Sequence, residues 1–168
     1  MHGGLLCLTL ALLAVPASPA GAYGGLAGQV LTLHNAERGR LNVAPLAWDP
    51  ALAAAAERYA AQMAQTGRWG HSPAPMRVGQ GENLWMGTRG AYSLDAMVGG
   101  WLSERRWFRP ALFPAVSRTG RWSDVGHYTQ MVSRHTTRVG CAVRSSRDWD
   151  YLVCRYNPAG NVHGRPVV

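Results

Sequence analysis

Lysine is absent from this sequence. All 17 basic side chains are Arg, set against nine Asp and Glu, and the formal charge is +8. With 20 Gly and abundant Ala beside it, the all-Arg usage reads as high-GC, bacterial coding bias rather than a chemical requirement. The Arg residues are scattered, with Arg105–Arg106 the only adjacent pair. A nucleic-acid footprint clusters its positive charge on one element, so the pattern argues against DNA or RNA as a partner. It suits anionic polymers of a cell envelope, or a lipid surface.

Long apolar runs are also missing. The stretch "LLCLTLALLAV", Leu5 to Val15, at about 1.5 Å per residue falls far short of a bilayer core roughly 30 Å thick. Pro16, small residues and "AGA" at Ala20 to Ala22 follow it. The segment reads as a secretory signal peptide, residues 1–22, although its first residues, "MHGG", carry no Lys or Arg. Residues 23–168 then make one domain, secreted or periplasmic, starting near Tyr23 and without a transmembrane segment. Cysteine is scarce too. Of three, Cys7 leaves with the signal, and Cys141 and Cys154 remain. They lack CxxC spacing, and an even pair in an oxidising compartment reads as a disulfide.

What is present is organised as helices early and strands late. Leu26, Val30, Leu33 and Leu41 recur at helical spacing, in a helix ending near Asn42. In "DPALAAAAERYAAQMAQTG", Asp49 is an N-cap and Pro50 fits the first helical position. Leu52, Ala56, Tyr59 and Met63 share one face, and Gly67 stops the helix. "RWGHSPAPMRVGQGENLWMG" is too rich in Gly and Pro for a helix and reads as loop with short extended pieces. A third helix runs from Ser93 or Leu94 to about Arg106, weakened by Gly99–Gly100. Arg109 to Gly126 is a long irregular loop, and "HYTQMV" a short helical segment. "TRVGCAV" and "YLVCRYN" alternate as strands and pair as an antiparallel hairpin across "RSSRDWD". The class is α+β.

"HNAERGRLNVAPLAWDPALAAAAERYA", "GHS", "GENLW", "WLSE", "GHYTQMV", "VGCAV" and "YLVCRYNPAGNV" stand in the order found in the CAP superfamily. That superfamily covers cysteine-rich secretory proteins, antigen 5 and pathogenesis-related protein 1, and the resemblance spans Leu26 to Val162. It implies an α-β-α sandwich with a short antiparallel sheet between helical layers. It also implies a cleft lined by His71, Glu82, Glu104 and His127, with Tyr128 and Gln130 following the motif. Ser133 departs from it, standing where the family usually has Trp, which is expected to leave a less filled core or a more open cleft wall. The four cleft residues lie 11, 22 and 23 positions apart and form no local ligand motif. Imidazole and carboxylate suit a divalent cation, zinc or magnesium. The alternatives stay open: Glu82 accepting backbone N–H bonds in its turn, Glu104 paired with Arg105 or Arg106, and both histidines simply bonded to those carboxylates.

His34 matches the family but reads as structural, and His135 and His163 as surface residues. Trp48, Trp85, Trp101 and Trp107 read as core aromatics. The loop Trp107 to Pro114 either packs down or offers an apolar, lipid-binding wall. Two function classes follow. The preferred one is a non-enzymatic secreted binding module for a small apolar ligand such as a lipid or sterol, or for an anionic envelope component. The alternative is a metal-assisted or serine-type hydrolase of peptide or cell-envelope bonds, for which Ser72 and Ser133 are the nearest serines.

Overall fold

A computed structural model describes residues 25–168. The expected signal peptide, its cleavage point near Tyr23, and Cys7 lie outside the described residues. Helices α1 (Leu26–Arg40), α2 (Pro50–Thr66), α3 (Leu94–Ser103) and α4 (Gly126–Val132) surround a sheet of β1 (Ala47–Trp48), β2 (Gly81–Thr88), β3 (Arg138–Ser145) and β4 (Trp149–Asn157). The strand order is β1-β3-β4-β2. Helix α2 covers one face, with Ala56, Tyr59, Met63, Leu84, Ala142 and Val153 between helix and sheet. Helices α1, α3 and α4 cover the other, over Val98, Trp101, Met131, Val139, Leu152 and Tyr156. This is the α-β-α sandwich. The sheet is not wholly antiparallel: β1 joins β3 in parallel, Ala47 facing Arg138.

Helix α2 follows the sequence closely. The Asp49 side chain accepts from the N–H groups of Ala51 and Leu52, Pro50 opens the helix, and Gly67 ends it at φ 68°. Gly140 lets it settle on β3, because a Cβ there would lie 2.6 Å from the Asp49 carbonyl oxygen. Helix α3 starts on the Ser93 cap but gives way after Ser103 to a 3-10 turn, Glu104–Trp107. In the hairpin, Cys141 lies directly opposite Cys154, and the two are disulfide-bonded.

One expectation fails. "GENLWMGT" is an eight-residue edge strand paired with β4 along its length. It is buried on both faces over most of that length, so it shows no alternation. Helix α1 turns the expected apolar face inward, with Val30 buried and Leu26, Leu33 and Leu41 packed partly buried against the core, and beside it buries a polar stripe of His34, Glu37 and Arg38. Each polar member is satisfied. His34 bonds Val30 O and the Tyr156 hydroxyl, both at 2.8 Å. Glu37 accepts from Tyr128 and Arg105. Arg38 donates to the carbonyls of Ala44, Met131, Ser133 and Thr136. Buried polar groups persist where every donor and acceptor has a partner.

Candidate functional site

The four residues expected in one cleft form two His–Glu pairs. Glu82 is the second residue of β2, and its side chain is 1% exposed. Its Oε1 accepts from His71 Nδ1 at 2.7 Å and from the Ser72 N–H at 2.9 Å. Its Oε2 lies 3.1 Å from Nε of Arg155, whose side chain is equally buried. Neither atom has an aligned hydrogen bond, so charge rather than N–H direction holds this contact. Strand register explains the pair, since Glu82 faces Arg155 across β2 and β4. Burial pushes the Glu82 carboxyl up, but the His71 and Ser72 hydrogen bonds and the Arg155 charge outweigh it and hold the carboxyl below its ordinary range.

The second pair repeats the pattern. Glu104 opens the 3-10 turn after α3. Its Oε1 accepts from His127 Nδ1 at 2.6 Å and its Oε2 from the Tyr128 N–H at 3.0 Å. The His127 ring stacks on Trp101, with centroids 5.8 Å apart and planes 14° apart. Asn83 donates to the His127 carbonyl at 3.0 Å. Glu104 therefore does not pair with Arg105, which goes to Glu37.

A carboxylate only accepts, so the hydrogen on each imidazole sits on Nδ1. In the neutral rings, Nε2 of His71 and of His127 then carries the lone pair. A carboxylate behind the imidazole is the usual support of a metal-binding histidine: it fixes the tautomer and raises basicity. Successive side chains of a strand point to opposite faces. Glu82 lies on the α2 side with Arg155 and Tyr59, and Asn83 reaches the α4 side. The dyads thus flank the unpaired edge of β2. Among the described residues, no group of three or more His, Cys, Asp and Glu side chains is placed to hold a metal ion.

The other expected cleft residues, Tyr128 and Gln130, are buried struts. Tyr128 is fully buried and donates to Glu37 Oε1 at 2.9 Å. Burial, with Glu37 beside it, pushes its phenol pKa up. Gln130, 2% exposed, donates to Thr136 Oγ1 and accepts from the Gly160 N–H. Ser133 is 2% exposed and packs near Gly160, so its small side chain sits in filled space. The Ser72 hydroxyl accepts from Arg155 at 3.0 Å. Trp101 is core as expected, whereas Trp107 is 44% exposed; the turn that carries it leaves its neighbour Phe108 to fill the core. His163 is exposed, whereas His135 is only partly so. Arg155 and Asn83 were not legible as site residues. The one available signal was a lone charge inside the apolar strand "YLVCRYN".

A groove of about 250 Å³ opens beside His71, lined among others by Tyr59, Met63, Trp69 and Pro73. No described helix is long and apolar enough to cross a membrane.

The family model described as CAP, the cysteine-rich secretory protein family, matches residues 31–156. A pathogenesis-related protein PRMS of Zea mays is 37% identical over 138 residues, 80% of this chain and 77% of that one. The secreted protein RBT4 of Candida albicans is 36% identical over 82% of this chain and 36% of its own length. A crystal structure of NaASP2 with Zn2+ matches with a TM-score of 0.73 at 26% identity, over 90% of this chain and 89% of that one. BmVAL-1 matches with a TM-score of 0.69 at 24% identity, over 90% and 83%. The chain belongs to the CAP family.

Proposed function

We propose that this is a secreted binding module whose His71 and His127 take one divalent cation through Nε2, with Glu82 and Glu104 as the carboxylates that orient them. The observation that carries this reading is the shared arrangement of both histidines: Nδ1 engaged by a carboxylate, Nε2 left with the lone pair. Imidazole nitrogens favour zinc over magnesium, which prefers oxygen ligands. The structural neighbour NaASP2, crystallised with Zn2+, is in keeping with that choice. The bound cation would supply positive charge and open coordination positions for a ligand's oxygen atoms. Because Arg155 already offsets the Glu82 charge, the fold does not need the cation for its own stability.

A small apolar ligand is the second element, and the groove beside His71 favours it. At about 250 Å³ it lies below the roughly 300–1,000 Å³ of pockets that enclose drug-sized ligands. It therefore suits a segment of an acyl chain better than a whole sterol. The serine-type form of the hydrolase alternative needs a hydroxyl next to an imidazole, and Ser72 gives its oxygen to Arg155 instead.

Zinc titration by calorimetry tests the cation site, with wild type against the double variant His71→Ala, His127→Ala. The expected result is binding by the wild type that weakens as pH falls, because the ligand nitrogen must be neutral, and loss of that binding in the variant. Equal zinc affinity in the two proteins overturns the proposal.

A further inference from the structure

We propose that the loop from Arg105 to Trp122 is a docking face for an anionic lipid bilayer. This goes beyond the cleft and rests on none of its residues. The segment "RRWFRPALFPAVSRTGRW" carries Arg105, Arg106, Arg109, Arg118 and Arg121 and no acidic residue, against +8 for the whole chain. All five are exposed. Arg105 is paired with Glu37 and Arg121 with Asp124. Arg109 and Arg118 each donate one N–H to a loop carbonyl, of Ala115 and Phe108, which leaves their other donors free. Arg106 lies over the Trp107 ring at 5.6 Å.

Within this cationic segment three large apolar side chains stand in solvent: Trp107 at 44%, Leu112 at 56% and Trp122 at 47% exposure. They are not a collapsed tip that failed to pack. Phe108, Phe113 and Val116 of the same loop are buried. Backbone bonds tie Arg118 N–H to Trp107 O and Arg109 N–H to Val116 O. Trp122 packs edge-on against Phe113 at 5.3 Å, and the two 3-10 turns that carry Trp107 and Trp122 touch. The loop is thus anchored from below and presents its tryptophans outward.

Arg with Trp and Leu on one surface element is the composition of an interfacial membrane site. The aromatic rings sit at headgroup depth and the guanidiniums meet lipid phosphates. A soluble polyanion would use the arginines but leave the three apolar groups wet, and that distinguishes the occupants. Arg near an anionic leaflet contributes roughly fivefold in affinity per residue.

The test is co-sedimentation of the mature protein with vesicles of 30% phosphatidylglycerol in phosphatidylcholine, alongside pure phosphatidylcholine vesicles and soluble heparin. Three variants are compared with wild type, each checked by thermal melt. They are Arg106→Glu with Arg109→Glu, Trp107→Ser with Leu112→Ser, and Arg58→Glu with Arg147→Glu as an equal charge change outside the loop. The expected results are binding to the anionic vesicles, at least a 25-fold loss in the loop charge variant, and at least a tenfold loss in the apolar variant. The distant charge variant should lose less than threefold. No binding of wild type to the anionic vesicles overturns the proposal. So does a loop charge variant that loses no more than the distant one, and so does an apolar variant that binds vesicles like wild type, which would make the loop a site for soluble polyanions.

Discussion

Acidification should destabilise this protein well above the range where carboxylates titrate, and His34 is the reason. Its ring is fully buried in α1. Nδ1–H donates to the Val30 carbonyl, which only accepts, so Nε2 accepts from the Tyr156 hydroxyl. Burial pushes the Tyr156 phenol pKa up, so that hydroxyl keeps its proton. A second proton on His34 would face an O–H donor in a dry site near the Arg38 charge. Burial is the largest effect and lowers the His34 pKa to about 4, with Arg38 also lowering it and the Val30 bond opposing them. A histidine whose folded pKa lies below its unfolded value contributes stability that is complete above about pH 6.5 and is lost as pH falls toward 4. At about 1.4 kcal/mol per pKa unit the total is about 3 kcal/mol, of which about 2 kcal/mol is gone by pH 5. For a domain of this size that total corresponds to a melting-temperature drop of roughly 6–12 °C. The assay is urea unfolding at pH 7, 6 and 5 for wild type and His34→Gln. The variant starts lower, because it loses a buried hydrogen-bonded ring, but its stability should fall by about 2 kcal/mol less between pH 7 and pH 5. Parallel pH dependence in the two proteins would refute the reasoning.

Reduction of Cys141–Cys154, which closes a sequence separation of 13, should cost about 3 kcal/mol in the chain-entropy description. Thermal melts with and without reductant measure it, and an unchanged melting temperature would contradict it. Arg155→Met should cost about 3–5 kcal/mol, because it leaves the Glu82 carboxylate buried without its cation, and denaturant titration at pH 7 reads the loss. The lowered Glu82 pKa gives stability that is present above the ordinary carboxylate range and lost as pH falls through the folded value. Removing Arg155 should therefore move the acid transition to higher pH, and an unmoved transition would show that the other hydrogen bonds suffice.

The parts of the fold legible in the sequence were those written in local chemistry. Helix α2 was bounded by Asp49, Pro50 and Gly67, and the hairpin by alternation around Cys141 and Cys154; the structure has both. Strand β2 was not legible, because burial on both faces erases the period-two signal. The polar stripe of α1 was hidden in part: His34 already read as structural, but nothing along the chain marks Glu37 and Arg38 as buried until their distant partners Tyr128 and Met131 are known. At the site, the residue types came from the family resemblance and histidine–carboxylate bonding was one of the readings left open, while which histidine takes which carboxylate came from tertiary contacts. Arg155 reaches Glu82 only through strand register, which no spacing along the chain encodes. The loop after Arg105 divided between the two expectations: Phe108 and Phe113 pack down, and Trp107 and Leu112 do not.

The central claim is that Nε2 of His71 and Nε2 of His127 together hold one cation while Nδ1 of each stays protonated against its carboxylate. Long-range proton–nitrogen NMR of the imidazole rings, before and after one equivalent of zinc, tests it most directly. Before zinc, both rings should show protonated Nδ1 and lone-pair Nε2. With zinc, both Nε2 resonances should move together and saturate at one equivalent, and both Nδ1 resonances should keep their protonated positions. Zinc that shifts only one of the two rings, shifts Nδ1 instead, or leaves both rings unchanged would contradict the account.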